Sequence, residues 1–177
     1  RETSEAKTSS LAKGESLYDT ARVLSGYSDV IVMRHPEPGS VAKFAEASRV
    51  PVINGGDGTN EHPSQALLDL YTMRTEIAAH GQSLDGLSIA LIGDLRFGRA
   101  VHSLCKLLRL YDNIRLHLIS PAELALPQEI IGLLKTAGHE VLEYTDMADG
   151  IRGVDILYVT RTQEERFPSQ PEADRYR

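Results

Sequence analysis

The strongest constraint on this chain is its alternation of short apolar runs with segments of helical period. The runs Asp29–Met33 (DVIVM), Val50–Asn54 (VPVIN), Leu87–Ile92 (LSIALI), Ile114–Ile119 (IRLHLI), Glu140–Tyr144 and Val154–Val159 have the length of strands. Between them lie stretches with helical spacing: Gly14–Tyr27, Val41–Ala47, Pro63–Ala79, Gly98–Tyr111, Pro127–Ala137 and a turn at Met147–Ile151. Strand–helix–strand repetition predicts parallel α/β sheets with right-handed crossovers. The expected inward side chains are Leu67, Leu70, Tyr71 and Ile77 on the third helix, and Val101, Leu104, Cys105 and Leu108 on the fourth. His80-Gly81 is a natural stop for the third helix.

Composition narrows the partners. At 177 residues with 41% hydrophobic content the chain can bury a core. A net charge of −6 argues against general binding to nucleic acid or an anionic membrane. No apolar run approaches the ~20 residues that span a bilayer. The start, RETSEAKTSS, is polar and lacks the pattern of a secretory signal. One cysteine cannot form an intrachain disulfide, so a reducing, intracellular setting is the expectation. None of the six histidines forms a His-x-x-x-His pair and no Cys/His cluster has zinc spacing, so no metal site is expected. Arg1 stands where a methionine would open a gene product, and RFPSQPEADRYR ends without a visible terminating element, so a longer parent chain is expected.

In open parallel sheets, ligands sit beyond the carboxyl ends of the strands. Four polar clusters fall there: Arg34-His35-Pro36, Gly55–Gln65, Gly93–Arg99 and Thr160–Arg166. In GGDGTNEHPSQALLDLY, Pro63 suits the first helical position, which puts His62 near the N-cap and Gln65 three residues on. Unpaired N–H groups and the positive end of the helix dipole favour a small anion or a polarised carbonyl at such a place. Arg34 is either an ion-paired surface arginine or a guanidinium fork for a phosphate or carbonyl. His35 reads as structural.

GDLRFGRAVHS resembles a nucleotide loop and falls short of one. The phosphate-loop pattern needs Lys and Ser or Thr where Arg99 and Ala100 stand, and no G-x-G-x-x-G is present. Arg99 at a helix start is unfavourable against the helix dipole unless an anion compensates it. His102 shares a face with Lys106 and Arg109 and reads as surface or supporting. In TRTQEERF, Arg161 and Gln163 point the same way in an extended chain, suited to a carboxylate. Glu164 reads as surface, and Glu165 with Arg166 as a local pair. In SSLAKGES, Lys13 beside Gly14 is placed to reach a phosphate, or lies in a solvated loop.

Taken together, SSLAKGES, VMRHP, NGGDGTNEHPSQALLDLY, GDLRFGRAVHSL and YVTRTQEERF resemble the aspartate carbamoyltransferase catalytic chain, in the family's order and from about Ser9 to Phe167. The ornithine-using sisters share the His-Pro-x-Gln element but not GDLRFGRAVHS or TRTQEER. The resemblance implies two α/β domains of the aspartate/ornithine carbamoyltransferase fold, incomplete at both ends. A partial carbamoyl-phosphate domain would occupy residues 1–65, an interdomain helix and linker 66–85, and a partial aspartate domain 86–177.

The implied reaction transfers the carbamoyl group of carbamoyl phosphate to L-aspartate, in pyrimidine biosynthesis, without metal or organic cofactor. By the same resemblance Arg34 and His62 contact carbamoyl phosphate and polarise its carbonyl, and Gln65 binds the carbamoyl NH2. Arg99 takes the aspartate α-carboxylate, while Arg161 and Gln163 take the side-chain carboxylate. Ser9 (or Ser10) and Lys13 match a loop that reaches a neighbouring subunit's site in a trimer, where Lys13 serves both substrates. The implied setting is the cytoplasm, and regulatory chains or fusion to another pathway enzyme are compatible with the family.

Two family segments do not occur in this chain: Ser-Thr-Arg-Thr-Arg on the N-terminal side and His-Pro-Leu-Pro-Arg on the C-terminal side. The chain thus matches the middle of a catalytic chain, and the 177 residues alone are expected to be inactive. Two alternatives stand beside this reading: a non-catalytic relative that keeps the fold, and a carbamoyltransferase for another amino acid.

Overall fold

A computed structural model describes residues 14–176. They fall into two units, one running through Ser64 and one from Gln65 onward. The elements of the first unit are α1 (Leu17–Leu24), β1 (Ile31–His35), α2 (Ser40–Ala47) and β2 (Val52–Asp57). Ser16 starts α1: its hydroxyl accepts the Asp19 N–H at 3.1 Å and donates to the Asp19 carboxylate at 2.6 Å. β1 and β2 pair in parallel, with Ile31 opposite Val52 and an irregularity between Met33 and His35. Ala21, Phe44 and Ala47 form a small core, with Leu17, Leu24, Ile31, Met33 and Val52 against it. The alternating residues Val32 and Ile53 are exposed, so one face of this two-stranded ribbon is covered and the other is not.

α3 (Pro63–Ala79) starts at the last residues of the first unit, and nearly all of it lies in the second. The second unit continues with β3 (Ser88–Ile92), α4 (Arg99–Leu108), β4 (Arg115–Ile119), α5 (Gln128–Thr136), β5 (Glu140–Tyr144), α6 (Met147–Gly150), β6 (Ile156–Val159) and α7 (Gln170–Ala173). Its four strands are all parallel, in the order β5-β4-β3-β6. Every residue of β3 is buried. Ile89 and Leu91 face a large core shared with Leu70 of α3, Leu104 of α4 and Leu134 of α5. Ala90 and Ile92 face a smaller one with Ile119. A continuous apolar run is what a strand covered on both faces requires.

The parallel α/β class expected from the alternation is what the chain adopts. Several local expectations fail, and β2, at Val52–Asp57 where Val50–Asn54 is expected, is one of them. β1 begins two residues later than the apolar run suggests, because the Ile31 N–H bonds to the Pro51 carbonyl at 3.0 Å and that contact sets the register. Arg34 and His35 therefore end the strand rather than follow it. On α3 the buried stripe is Ala66, Leu70 and Met73, while Leu67 and Tyr71 are 56% and 70% exposed. His102, expected at the surface, is buried, with Nε2 2.9 Å from the Leu95 carbonyl. No described helix is long and apolar enough to cross a membrane.

Candidate functional site

In the first unit the candidates are Arg34 and His62. Arg34 is exposed, one residue from the carboxyl end of β1. His62 stands just before Pro63, with Nδ1 3.3 Å from the Ser64 hydroxyl. The loop leading to His62 is built on Asp57, which is 1% exposed at the end of β2. Its carboxylate accepts the Gly39 N–H (2.9 Å), the Glu61 N–H (3.0 Å) and the Asn54 and Asn60 amides (3.2 and 3.1 Å). Burial pushes the Asp57 carboxyl pKa up, but the bonds from Asn60, Asn54, Gly39 and Glu61 outweigh it and hold the group below its usual range. Gly58, at φ +55°, follows immediately; a Cβ there would lie 2.6 Å from the Pro38 ring nitrogen.

In the second unit Gln65, Arg99, Arg161 and Gln163 are the candidates. Arg99 is the first residue of α4, beyond the carboxyl end of β3, and Arg161 lies two residues past β6. Because β3 and β6 pair in parallel, both loops leave the same edge of the sheet. Asp94, fully buried, ties the two together: one carboxylate oxygen accepts the Phe97 N–H at 2.9 Å and the other the Gln163 N–H at 3.0 Å. Beside it Gly93, at φ +115°, packs so close to β6 that a Cβ would sit 2.2 Å from the Thr160 carbonyl oxygen.

Arg161 is exposed and engages Glu165 through both terminal nitrogens, at 3.0 and 2.7 Å. Its Nη1 also donates to the Thr162 carbonyl at 3.0 Å. The Arg161 guanidinium pulls the Glu165 carboxyl down to about 2. Beyond the expected Glu165–Arg166 interaction, Glu165 pairs with Arg161, four residues before it, and Arg166 also lowers the Glu165 carboxyl. The Gln163 carboxamide reaches the Arg161 carbonyl at 3.4 Å. Gln65, in the first turn of α3, donates from Nε2 to Asp69 at 2.9 Å.

Chemically, the second unit carries two guanidinium groups and the Gln163 carboxamide on loops at the carboxyl ends of β3 and β6, a set suited to a small dicarboxylate. The first presents a guanidinium and an imidazole, suited to a phosphate or a polarised carbonyl. A cavity of about 310 Å³ in the second unit, bordered by Ser120, Leu126, Glu143 and Tyr144, touches none of the candidates, and its lining offers no cation for an anionic ligand. Among the described residues no cluster of His, Cys, Asp and Glu is arranged to hold a metal ion. Ser9 and Lys13, with Ser10, lie outside the described residues. Asp57, Asp69, Asp94 and Tyr158 escaped the sequence reading. Asp69 at i+4 from Gln65 was the one visible signal.

Residues 1–75 match the family described as aspartate/ornithine carbamoyltransferase, carbamoyl-P binding domain. The whole chain is 66% identical to the aspartate carbamoyltransferase catalytic subunit of Saccharophagus degradans and covers 52% of it. The corresponding subunit of Cellvibrio japonicus is 63% identical, again over all of this chain and 52% of that protein. Among solved structures, the catalytic subunit of Methanocaldococcus jannaschii aspartate transcarbamoylase is 49% identical with a TM-score of 0.81, over 96% of this chain and 54% of that one. Aspartate transcarbamoylase of Trypanosoma cruzi in complex with carbamoyl phosphate and aspartate is 41% identical with a TM-score of 0.85, over 97% and 54%. The chain spans about half the length of the curated relatives it matches. It belongs to the aspartate/ornithine carbamoyltransferase family, and falls with the family's aspartate carbamoyltransferase catalytic chains.

Proposed function

We propose that this chain is part of an enzyme that transfers the carbamoyl group of carbamoyl phosphate to L-aspartate. The observation that carries the proposal is the carboxyl end of the second unit's parallel sheet, where Arg99 lies beyond β3 and Arg161 and Gln163 beyond β6, on loops joined by Asp94. That set fits a dicarboxylate amine better than ornithine, whose side chain is a cation. The amine nitrogen of aspartate attacks the carbamoyl carbon, the carbon–oxygen bond to phosphate breaks, phosphate leaves with the electron pair, and the amine gives up a proton. Arg34 and His62 polarise the carbonyl oxygen, where negative charge grows in the transition state. Gln65 receives the carbamoyl NH2. Arg99 holds the α-carboxylate, and Arg161 with Gln163 the side-chain carboxylate. No nucleophilic side chain is required; much of the rate comes from holding two reactants in place.

In this proposal residues 1–65 belong to the carbamoyl-phosphate domain, 66–85 to the interdomain helix and linker, and 86–177 to the aspartate domain. The parent enzyme is a cytoplasmic homotrimer in which Ser9 and Lys13 serve a neighbouring subunit's site. The 177 residues alone, without a Ser-Thr-Arg-Thr-Arg segment, turn over negligibly.

The test supplies the full-length parent enzyme with carbamoyl phosphate and, separately, aspartate or ornithine. Carbamoyl-aspartate is the expected product, and turnover with ornithine alone overturns the assignment. Calorimetric titration with a bisubstrate analogue locates the carboxylate site: Arg161→Ala is expected to weaken binding by roughly 2–5 kcal/mol, the cost of stripping one partner from a desolvated charge pair.

A further inference from the structure

We propose that Asp69 is a positioning residue that fixes the Gln65 carboxamide with its carbonyl oxygen toward the ligand, and that Tyr158 holds Asp69 in place. The proposal rests on the reading of Gln65 as the carbamoyl-recognising residue, and adds what makes that residue selective. One Asp69 oxygen accepts Gln65 Nε2 at 2.9 Å; the other accepts the Tyr158 hydroxyl, also at 2.9 Å, from 89 residues away in sequence. Each carboxylate oxygen is thus committed to its own donor.

An ionised carboxylate can only accept hydrogen bonds, so the Gln65 amide must present its NH2 to Asp69. The end of the amide turned away from Asp69 is then Oε1, an acceptor. A carbamoyl NH2 supplies a donor for it, whereas the isosteric methyl of an acetyl group supplies none. A site built to accept an N–H rejects the analogue lacking it, because the acceptor is then left unpaired.

Tyr158 makes the arrangement robust. Burial pushes its phenol pKa well up, and the Asp69 carboxylate pushes it further, so the hydroxyl keeps its proton and remains a donor. The ring packs against the main core, which fixes the direction of the O–H. Tyr158 also lies in β6, three residues before Arg161, so one carboxylate connects α3 to the strand that leads into the candidate carboxylate site. A merely structural tie would do this too, but it would be indifferent to which end of the Gln65 amide faces outward.

That difference supplies the experiment. In the full-length parent enzyme, the affinities for carbamoyl phosphate and acetyl phosphate are measured by titration for wild type, Gln65→Ala, Asp69→Asn, and the double variant. Asparagine still accepts from Tyr158 but offers NH2 to Gln65, which turns the amide over. Asp69→Asn is expected to weaken carbamoyl phosphate about tenfold to a hundredfold and to leave acetyl phosphate within about twofold. In the Gln65→Ala background it should change the ratio no further. Equal weakening of both ligands, or of neither, overturns the role of Asp69. An unchanged preference in Gln65→Ala overturns instead the underlying reading of Gln65. If Asp69→Asn does not fold, Tyr158→Phe takes its place: a selective loss for carbamoyl phosphate supports the proposal, and an equal loss or none overturns it.

Discussion

Each unit has a glycine-bearing loop at the carboxyl end of a parallel strand, supported by a buried aspartate, yet the two hold their loops differently. In the first, Asp57 gathers Gly39, Asn54, Asn60 and Glu61, all within 18 residues in sequence. Its two-stranded sheet leaves Val32 and Ile53 exposed. In the second, Asp94 reaches 69 residues to Gln163, and β3 beneath it is buried on both faces. A ribbon with a thin core must fix its functional loop by short-range hydrogen bonds. A sheet with covered faces can fix it by packing two distant strand ends against each other.

If that contrast is right, crowding the two glycines will separate the units most sharply. Gly93→Ala places a methyl 2.2 Å from the Thr160 carbonyl oxygen at φ +115°, where the two nearest atoms are backbone and the Thr160 N–H is bonded to the Ile92 carbonyl. Overpacking and strain together predict a loss of roughly 3–5 kcal/mol in denaturant unfolding, or failure to fold. Gly58→Ala also meets a close neighbour, the Pro38 ring at 2.6 Å with its backbone nitrogen included, but at φ +55°, in the small left-handed region, where a side chain is strained less than at +115°. About half that loss is expected. Equal costs would show that the first unit is as tightly held as the second.

The cores come next. Leu104, with 0% exposure, sits among α3, β3 and α5, so Leu104→Ala leaves a cavity and should cost about 2–5 kcal/mol. Val32, 68% exposed, has little to lose, and Val32→Ala should fall within roughly 0.5 kcal/mol of wild type. Both are read from the unfolding midpoint at constant slope. A large cost at Val32 would mean that its face is covered in solution.

Acid should find the first unit before neutral denaturants distinguish it. The Asp57 pKa is lower in the folded chain than the ~3.9 of an unfolded one. Its contribution is therefore complete above about pH 4 and is lost as pH falls through the lower, folded value. Asp57→Asn should destabilise at neutral pH by about 1–3 kcal/mol, since two backbone N–H groups lose a charged acceptor. The difference from wild type should shrink below pH 4. A difference that stays constant across that range would remove Asp57's charge from the account.

Much of this architecture was legible in the sequence, for identifiable reasons. β5 and α3 have the boundaries the pattern predicts, because Pro63 and His80-Gly81 punctuate the helix and Glu140–Tyr144 is short and bounded. β3 loses only its first residue, for the same uninterrupted apolar run that buries it. What failed was set by distant partners. Helical period alone could not say whether Leu67 or Ala66 turns inward, since both lie near one stripe. Nothing local signals that Glu165 takes Arg161 as a partner, or that His102 bonds a carbonyl seven residues back. The candidate side chains were visible because arginine, histidine and glutamine recur at strand ends. The groups that orient them, Asp94 and the Asp69–Tyr158 pair, act across 69 and 89 residues.

The smallest effect is expected where geometry looks most favourable. Arg115 Nε and Glu140 face each other across β4 and β5 at 2.6 Å. Both side chains are about half exposed, at 52% and 54%. Water screens the attraction, and ordering two long side chains offsets most of what remains. The pairing does push the Arg115 guanidinium up, first through its hydrogen bond to Glu140, but arginine is charged at every working pH, so that shift leaves stability unchanged across the usual range. Arg115→Ala should move the thermal midpoint by less than roughly 2 °C, with little dependence on salt. A larger, salt-sensitive shift would mean that this rim of the sheet is organised by charge, and that packing alone does not explain how the second unit holds its strand ends.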